Sequence, residues 1–385
     1  MESDLKPLSV IEDISHQWAE KMLSLKFGNP VTLHSWSYEY PETPEGFMSE
    51  IVYLKVVYSG SDDEKLQLRL VLKVLPRELE RKQTIALGGL DRREIAFYKF
   101  VNTQEFKDLC LKSGVKLQVP EVYYASYFDG DITLVMQDLN NVNYKSGVVK
   151  EGNSLAQTKV AVQAVAQLHA AGLAYLEKYG ELGVLTDIAE EFKFTCFDKF
   201  FIRNLNTLAD MYKGTALADS MKSLIPYTKD ILEMRKRFPL IRTVVHGDYW
   251  AGQLMYSEDE SNVMMIDWQH CNVDNPASDI LSMLFMSSHP SVLEDHLEEV
   301  VQCYWESLSS NTKKFGLSLD ITFEQLRQNV DDLMLFGFMM VGISIPEFLG
   351  GGNITPERLF GYVNFLEKKS IVSKYVKMME KEHNI

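Results

Sequence analysis

Two aspartates and one amide carry the most chemical promise in this sequence. Asp248 lies in VVHGDYWAGQLMY, Val244 to Tyr256, with Gln253 five residues after it, and Asp267 closes the apolar run of VMMIDWQ nineteen residues beyond Asp248. Each aspartate follows an apolar strand, TVV or VMMI, and QLMYSEDESNVMMI between them reads as a hairpin. That arrangement would bring both carboxylates to one end of the pair. Two carboxylates and an amide oxygen facing one spot repel unless a cation occupies it, so a metal-assisted phosphate site is one reading. The other is a set of polar turn residues, and spacing alone leaves both open.

Lys73, in LVLKVLP, sits in a strand otherwise built from Val and Leu. If buried it requires an anionic partner, and Glu94 in the helical LDRREIAFYKF is a candidate. A Lys73 on the solvent face and an exposed Glu94 suit the pattern equally. His246 precedes Gly247 in a tight corner and reads as a loop-fixing hydrogen-bond group, while His169 in AVAQLHAAGLA reads as a packed helix residue. Neither is assigned chemistry.

The elements that must position these groups follow from periodicity. SVIEDISHQWAEKMLSLKF, Ser9 to Phe27, has helical spacing, with Ser9 as cap and Glu12 completing a capping box. Strands are predicted within 34–60, in 66–76 and as a pair within 119–139, with one helix around LDRREIAFYKFVNTQEF. From about Asn140 the pattern turns helical: LAQTKVAVQAVAQLHAAGLAYLEKY, ALADSMKSLIPYTKDILEMRKRF, and three more stretches beyond Ser278. The expected class is α+β, with a lobe at 1–138 of five antiparallel strands and a helix. A mostly helical lobe at 139–385 would carry a small strand pair at its mouth.

A length of 385 residues suffices for two lobes with their own cores, and 46% apolar with 24% charged residues describes a folded chain. The net charge of −15 argues against a nucleic-acid backbone as partner. Cys110, Cys196, Cys271 and Cys303 are far apart and read as single buried thiols. The acidic start lacks the features of a signal peptide, and the longest apolar run, Leu333 to Ile343, is too short to span a bilayer. A cytoplasmic setting without a membrane span is expected; the oligomeric state is not legible.

The order VLK, REIAFY, LVMQDL, AVAQLHA, HGDYWAGQ, IDWQ and NPASDI resembles the kinase-like small-molecule phosphotransferases, from about Gly46 to Pro346. These include the aminoglycoside phosphotransferases, the choline kinases and, nearest in texture, the ecdysteroid-kinase-like (CHK-kinase-like) family. The resemblance implies a two-lobed protein-kinase-like fold using ATP and Mg²⁺. It implies that Asp248 takes the proton of an acceptor hydroxyl, Asp267 holds Mg²⁺ against the phosphates, and Lys73, positioned by Glu94, contacts those phosphates. Met136, Gln137 and Asp138 would form the hinge that meets adenine through backbone groups, and Asp279 would brace the loop of Asp248.

Three departures matter. No Ala-Pro-Glu segment follows Asp267, so there is no room for an activation loop and a small hydroxylated acceptor is favoured over a protein. Only Gly46, with Ser49 as a phosphate donor, stands where a glycine-rich turn would cover the nucleotide. Gln253 occupies the position of the second metal ligand, usually Asn, and is longer by roughly 1.5 Å. Gly252 before it would supply backbone freedom; otherwise the second metal position is lost, leaving a nucleotide-binding protein with weak transfer. A steroid-like acceptor is favoured by resemblance, with choline, ethanolamine or an aminoglycoside as alternatives.

Overall fold

The computed structural model describes residues 5–42, 48–61, 64–147, 149–180, 182, 185, 198–342 and 354–383. Gly46, Cys196, Ile343 and Pro346 lie outside them. The first lobe is built on strands β1 Thr32–Glu39, β2 Glu50–Ser59, β3 Lys65–Val74, β4 Val122–Phe128 and β5 Asp131–Gln137. All pairings are antiparallel, in the order β1-β2-β3-β5-β4. Strand alternation sends Val52, Leu54, Val56, Leu70, Leu72 and Val74 to one face, where they pack with Trp18, Met22 and Leu23 of helix α1, His16–Phe27. The opposite face, with Leu134 and Met136, joins Ile95 and Phe97 in the larger core.

Two expectations for this lobe need correction. Helix α1 starts at His16, not at Ser9, and its cap is Ser15, whose hydroxyl accepts from Trp18 N. Ile11 and Ile14 are both buried, and the chain runs extended at Ile14 between the short turn Ile11–Asp13 and the cap. The Ser9 hydroxyl instead donates to Asp131, and Glu12 pairs with Arg77. The single helix expected between β3 and β4 is three: α2 Leu79–Gly88, α3 Leu90–Val101 and α4 Gln104–Ser113. Gly89, at φ +64, ends α2 in a left-handed turn, and the Thr103 hydroxyl caps α4.

In the second lobe, α5 Leu155–Tyr179 has the expected limits, opened by a capping box of Ser154 and Gln157, and packs along the helix Leu297–Lys314. The one helix expected over residues 216–238 is broken into Ala216–Ser223, Thr228–Leu232 and Met234–Arg237 around a turn at Ile225–Tyr227. Pro226, which has no N–H to donate, lies in that turn. More helices than the three expected follow Ser278: Leu297–Lys314, Phe323–Asp332, Met334–Gly342, Pro356–Lys368 and Ile371–Glu382 are each described. No helix among the described residues is long and apolar enough to cross a membrane.

The small strand pair expected at the mouth is larger. Strands β6 Tyr144–Ser146, β8 Leu254–Ser257 and β9 Val263–Met265 form one sheet, while β7 Thr243–Val245 pairs with β10 Asn272–Asp274. The β8–β9 hairpin is present, with Leu254 opposite Met265. The strand leading to Asp248, however, is bonded to the segment after Asp267, with Val245 opposite Asn272, and this pairing also anchors the two aspartate loops to each other.

Candidate active site

Lys73 lies in β3 between β2 and β5, opposite Ile51 and Leu134. It is 5% exposed, so the solvent-facing alternative fails. Its Nζ donates to Glu94 Oε2 of α3 at 2.7 Å and to Asp267 Oδ1 at 2.8 Å. Burial works to push the ammonium pKa down, but the carboxylates of Asp267 and Glu94 outweigh it and hold Lys73 charged. Burial raises the Glu94 pKa despite Lys73 and the backbone N–H of Trp268, both of which favour its carboxylate. The ring of Phe97, on the same helix, stacks on Trp268 with centroids 3.6 Å apart, which fixes α3 against the Asp267 loop.

Asp267 follows β9 at φ +63, a left-handed conformation that a non-glycine residue seldom adopts. The flanking backbone holds it there: Ile266 N donates to Gln253 O at 3.0 Å, and His246 Nε2 lies 2.9 Å from Ile266 O. His246 therefore does fix the loop, as its corner position suggested. Burial opposes ionisation of Asp267, yet Lys73, His270 and His246 together lower its pKa. The left-handed backbone aims the partly exposed Asp267 carboxylate at a buried ammonium, an arrangement more often met at functional sites than in plain turns.

Asp248 stands in a corner made possible by Gly247, at φ +81, where a Cβ would sit 2.2 Å from the carbonyl oxygen of His270. The corner amides are held from behind: His246 N donates to Asp279 Oδ2 at 2.7 Å and Gly247 N to Oδ1 at 2.9 Å. His169 Nε2 lies 3.1 Å from the same Oδ2, and its Nδ1 lies 2.8 Å from the Tyr304 hydroxyl. His169 is thus packed in its helix as expected, but as part of a buried polar network. Burial would raise the Asp279 pKa, but the His169 hydrogen bond leads the contributions that bring it below the usual value of 3.8.

A stability consequence follows from that depressed pKa. The carboxylate stabilises the fold at pH values above its ordinary pKa, and this contribution is lost as the pH falls through the depressed folded value. In Asp279→Asn this part of the acid sensitivity should vanish, together with the stability that the carboxylate contributes at neutral pH. Urea midpoints measured from neutral to strongly acidic pH check it: parallel curves for the two proteins would contradict the assignment.

The Asp248 carboxylate is met by neutral donors. Trp250 Nε1 lies 3.2 Å and Gln253 Nε2 3.1 Å from its Oδ2. Gly252 does not have a positive φ, so the backbone freedom expected of it is not what is used. Its missing Cβ leaves space instead: a Cβ there would lie 2.3–2.6 Å from atoms of the Trp250 ring. Ala251 N, in the same short turn, donates to Ser287 Oγ at 2.6 Å.

The remaining expected residues are placed as follows. Ser49, just before β2, is buried, and its hydroxyl has no partner among the described residues. Met136 is buried in β5, opposite Val71 and Val122. The N–H of Gln137 donates to Glu121 O at 2.8 Å and that of Asp138 to Arg69 O at 3.2 Å, so neither is left over for a ligand. The Asp138 side chain accepts from Arg69 Nε at 3.1 Å and from Asn140 N at 3.0 Å, making it a fixture of the connection.

Sequence reasoning missed His270 and Ser287, and it read Trp250 only as an aromatic residue of the second lobe, not as a donor to Asp248. His270 feels both Asp248 and Asp267, whose charges oppose the burial that lowers its pKa. No spacing rule points to it; only the β7–β10 pairing brings its backbone against Gly247. Among the described residues no three His, Cys, Asp or Glu side chains cluster closely enough to hold a metal by themselves.

Residues 43–317, well over half of the chain, match the ecdysteroid kinase-like family, and the chain belongs to it. It is therefore a member of a small-molecule kinase family. Among solved structures it is similar to a macrolide 2'-phosphotransferase type I, at 15% identity and a TM-score of 0.41, covering 91% of this chain and 97% of that one. It is also similar to the GDP complex of aminoglycoside 2'-phosphotransferase-IIIa (11%, 0.43, covering 92% and 98%). A third is the Plasmodium vivax ethanolamine kinase (10%, 0.38, covering 92% and 88%). These are distant likenesses in overall shape. A comparison with curated proteins finds no match.

Proposed function

We propose that this chain moves the γ-phosphoryl group of ATP to a hydroxyl of a small organic molecule, a steroid-like alcohol being the favoured acceptor. The observation that carries the reading is the buried ammonium of Lys73 held between Glu94 and Asp267 across the two lobes. A purely structural protein has no need to desolvate these three charges together, since apolar residues of similar volume are as stabilising or more so. Lys73 contacts the nucleotide phosphates and Glu94 keeps it aimed. Ser49, with its buried unpartnered hydroxyl, is suited to donate to a phosphate oxygen. The boundary between the lobes falls at 138/139, next to the adenine-facing connection. Because the Gln137 and Asp138 amides are already bonded, Met136 to Asp138 would meet adenine through carbonyl oxygens or through the amide that follows.

The donor set suits Mg²⁺, which takes hard oxygen ligands: the Asp267 carboxylate and the Gln253 amide oxygen, whose nitrogen is turned to Asp248. Bound there, Mg²⁺ would neutralise charge on the phosphates. Asp248 accepts the proton of the acceptor hydroxyl as its oxygen bonds to phosphorus and the bond to the ADP oxygen breaks. Positioning and charge neutralisation carry the rate, with no covalent protein intermediate.

Thermal denaturation with ATP tests the nucleotide and metal parts. A ligand at a hundred times its Kd stabilises by about 2.7 kcal/mol, so MgATP should raise the melting temperature well above ATP alone. Asp267→Ala should remove the Mg²⁺ increment. An equal shift with and without Mg²⁺ in the parent protein would overturn the metal assignment and favour a protein that binds nucleotide without transferring phosphate.

A further inference from the structure

We propose that Trp250 is a positioning residue for Asp248 and that Gly252 exists to admit its ring; the proposal rests on Asp248 being the base. Two donors, the Trp250 indole N–H and the Gln253 amide, converge on one oxygen, Oδ2, at 3.2 and 3.1 Å. A carboxylate oxygen that accepts two hydrogen bonds is fixed in direction, and its partner Oδ1 is presented to the acceptor hydroxyl. The two oxygens of Asp248 thereby acquire separate tasks.

The Trp250 side chain reaches back over its own turn to do this. The residue that would obstruct it is Gly252, since any Cβ there would lie 2.3 Å from the ring's Cη2 and 2.6 Å from two further ring carbons. Such contacts lie far inside van der Waals separation, so a methyl group at position 252 must push the indole away from Asp248. The turn is otherwise held independently of the ring, by Ala251 N on Ser287 Oγ and by Gln253 N on Trp250 O. Displacing the indole therefore leaves the loop and the metal-side carboxylate where they are.

The test is a double-mutant cycle read two ways. Trp250→Phe removes the N–H and keeps most of the ring; Gly252→Ala keeps the N–H and displaces it. Each should lower kcat for MgATP hydrolysis, with water as acceptor, by about ten- to thirtyfold, an extent consistent with losing one positioning hydrogen bond in the transition state. The KM for MgATP should stay within about twofold, because the phosphate-side groups are untouched. The double variant should be no slower than the slower single, since both changes delete the same contact.

The second readout needs no turnover. Among the five tryptophans, the indole ¹⁵N–¹H resonance of Trp250, assigned from Trp250→Phe, should move in Asp248→Asn while the others hold still. An unmoved Trp250 resonance, a Trp250→Phe kcat within about twofold of the parent, or singles whose losses multiply in the double would each overturn the proposal. Retained turnover in Asp248→Ala would instead strike the base assignment, and the resonance experiment would still report on the contact itself.

Discussion

Asp248→Ala is expected to lower phosphoryl transfer by ~10²- to 10⁴-fold, the usual extent for loss of a positioned general base. The affinity for MgATP should change little, because the nucleotide contacts proposed above are made by other residues. Lys73, Glu94 and Asp267 hold one another at 2.7 and 2.8 Å without help from Asp248. The corner that carries Asp248 is likewise held from behind, through the Asp279 carboxylate on the amides of His246 and Gly247. Truncating a partly buried carboxylate on a braced corner should leave the fold intact. Steady-state kinetics with calorimetric MgATP binding separate the two quantities. A variant that loses binding and turnover together would mean that Asp248 belongs to the metal site instead.

The second large effect is on stability as well as rate. Lys73→Met removes the only ammonium among the three groups and leaves the Glu94 side chain, 1% exposed, and the Asp267 side chain, 27% exposed, facing each other. Removing one partner of a buried pair costs about 3–5 kcal/mol, because the remaining charge is left uncompensated. Transfer should fall with it, since Lys73 is the proposed contact to the phosphates. Neutralising the neighbour in Lys73→Met/Glu94→Gln should recover part of the stability and none of the activity. Urea denaturation and turnover measured on both variants check this. If the single variant were as stable as the parent, the three charges would be solvated, and the desolvated site described above would not exist.

Much of this was legible in the sequence where a residue type conflicts with its surroundings. A lysine among Val and Leu needs a partner, and the partner proved to be Glu94, with Asp267 as a second. The β8–β9 hairpin followed from two apolar runs about a polar turn, and the limits of α5 from helical spacing; the capping box read at Ser9 and Glu12 did not form, and the one that did, Ser154 with Gln157, went unread. What escaped was whatever depends on contacts distant in sequence. The pairing of β7 with β10 rests on three-residue strands, too short to show a period, and it alone brings His270 to Gly247. The break between α2 and α3 hangs on the left-handed Gly89, and a glycine within a helical pattern has no unique reading. Gly252 was read for its backbone and serves through its empty volume, a distinction that only the placement of the Trp250 ring reveals.

The destination of the label from γ-labelled ATP tests the central claim most directly. Incubated with Mg²⁺ and a panel of hydroxylated sterols, amino alcohols and aminoglycosides, the parent protein should pass label to one acceptor class, the sterols, and Asp248→Ala should not. Label released only to water, at the same rate in both proteins, would contradict the account.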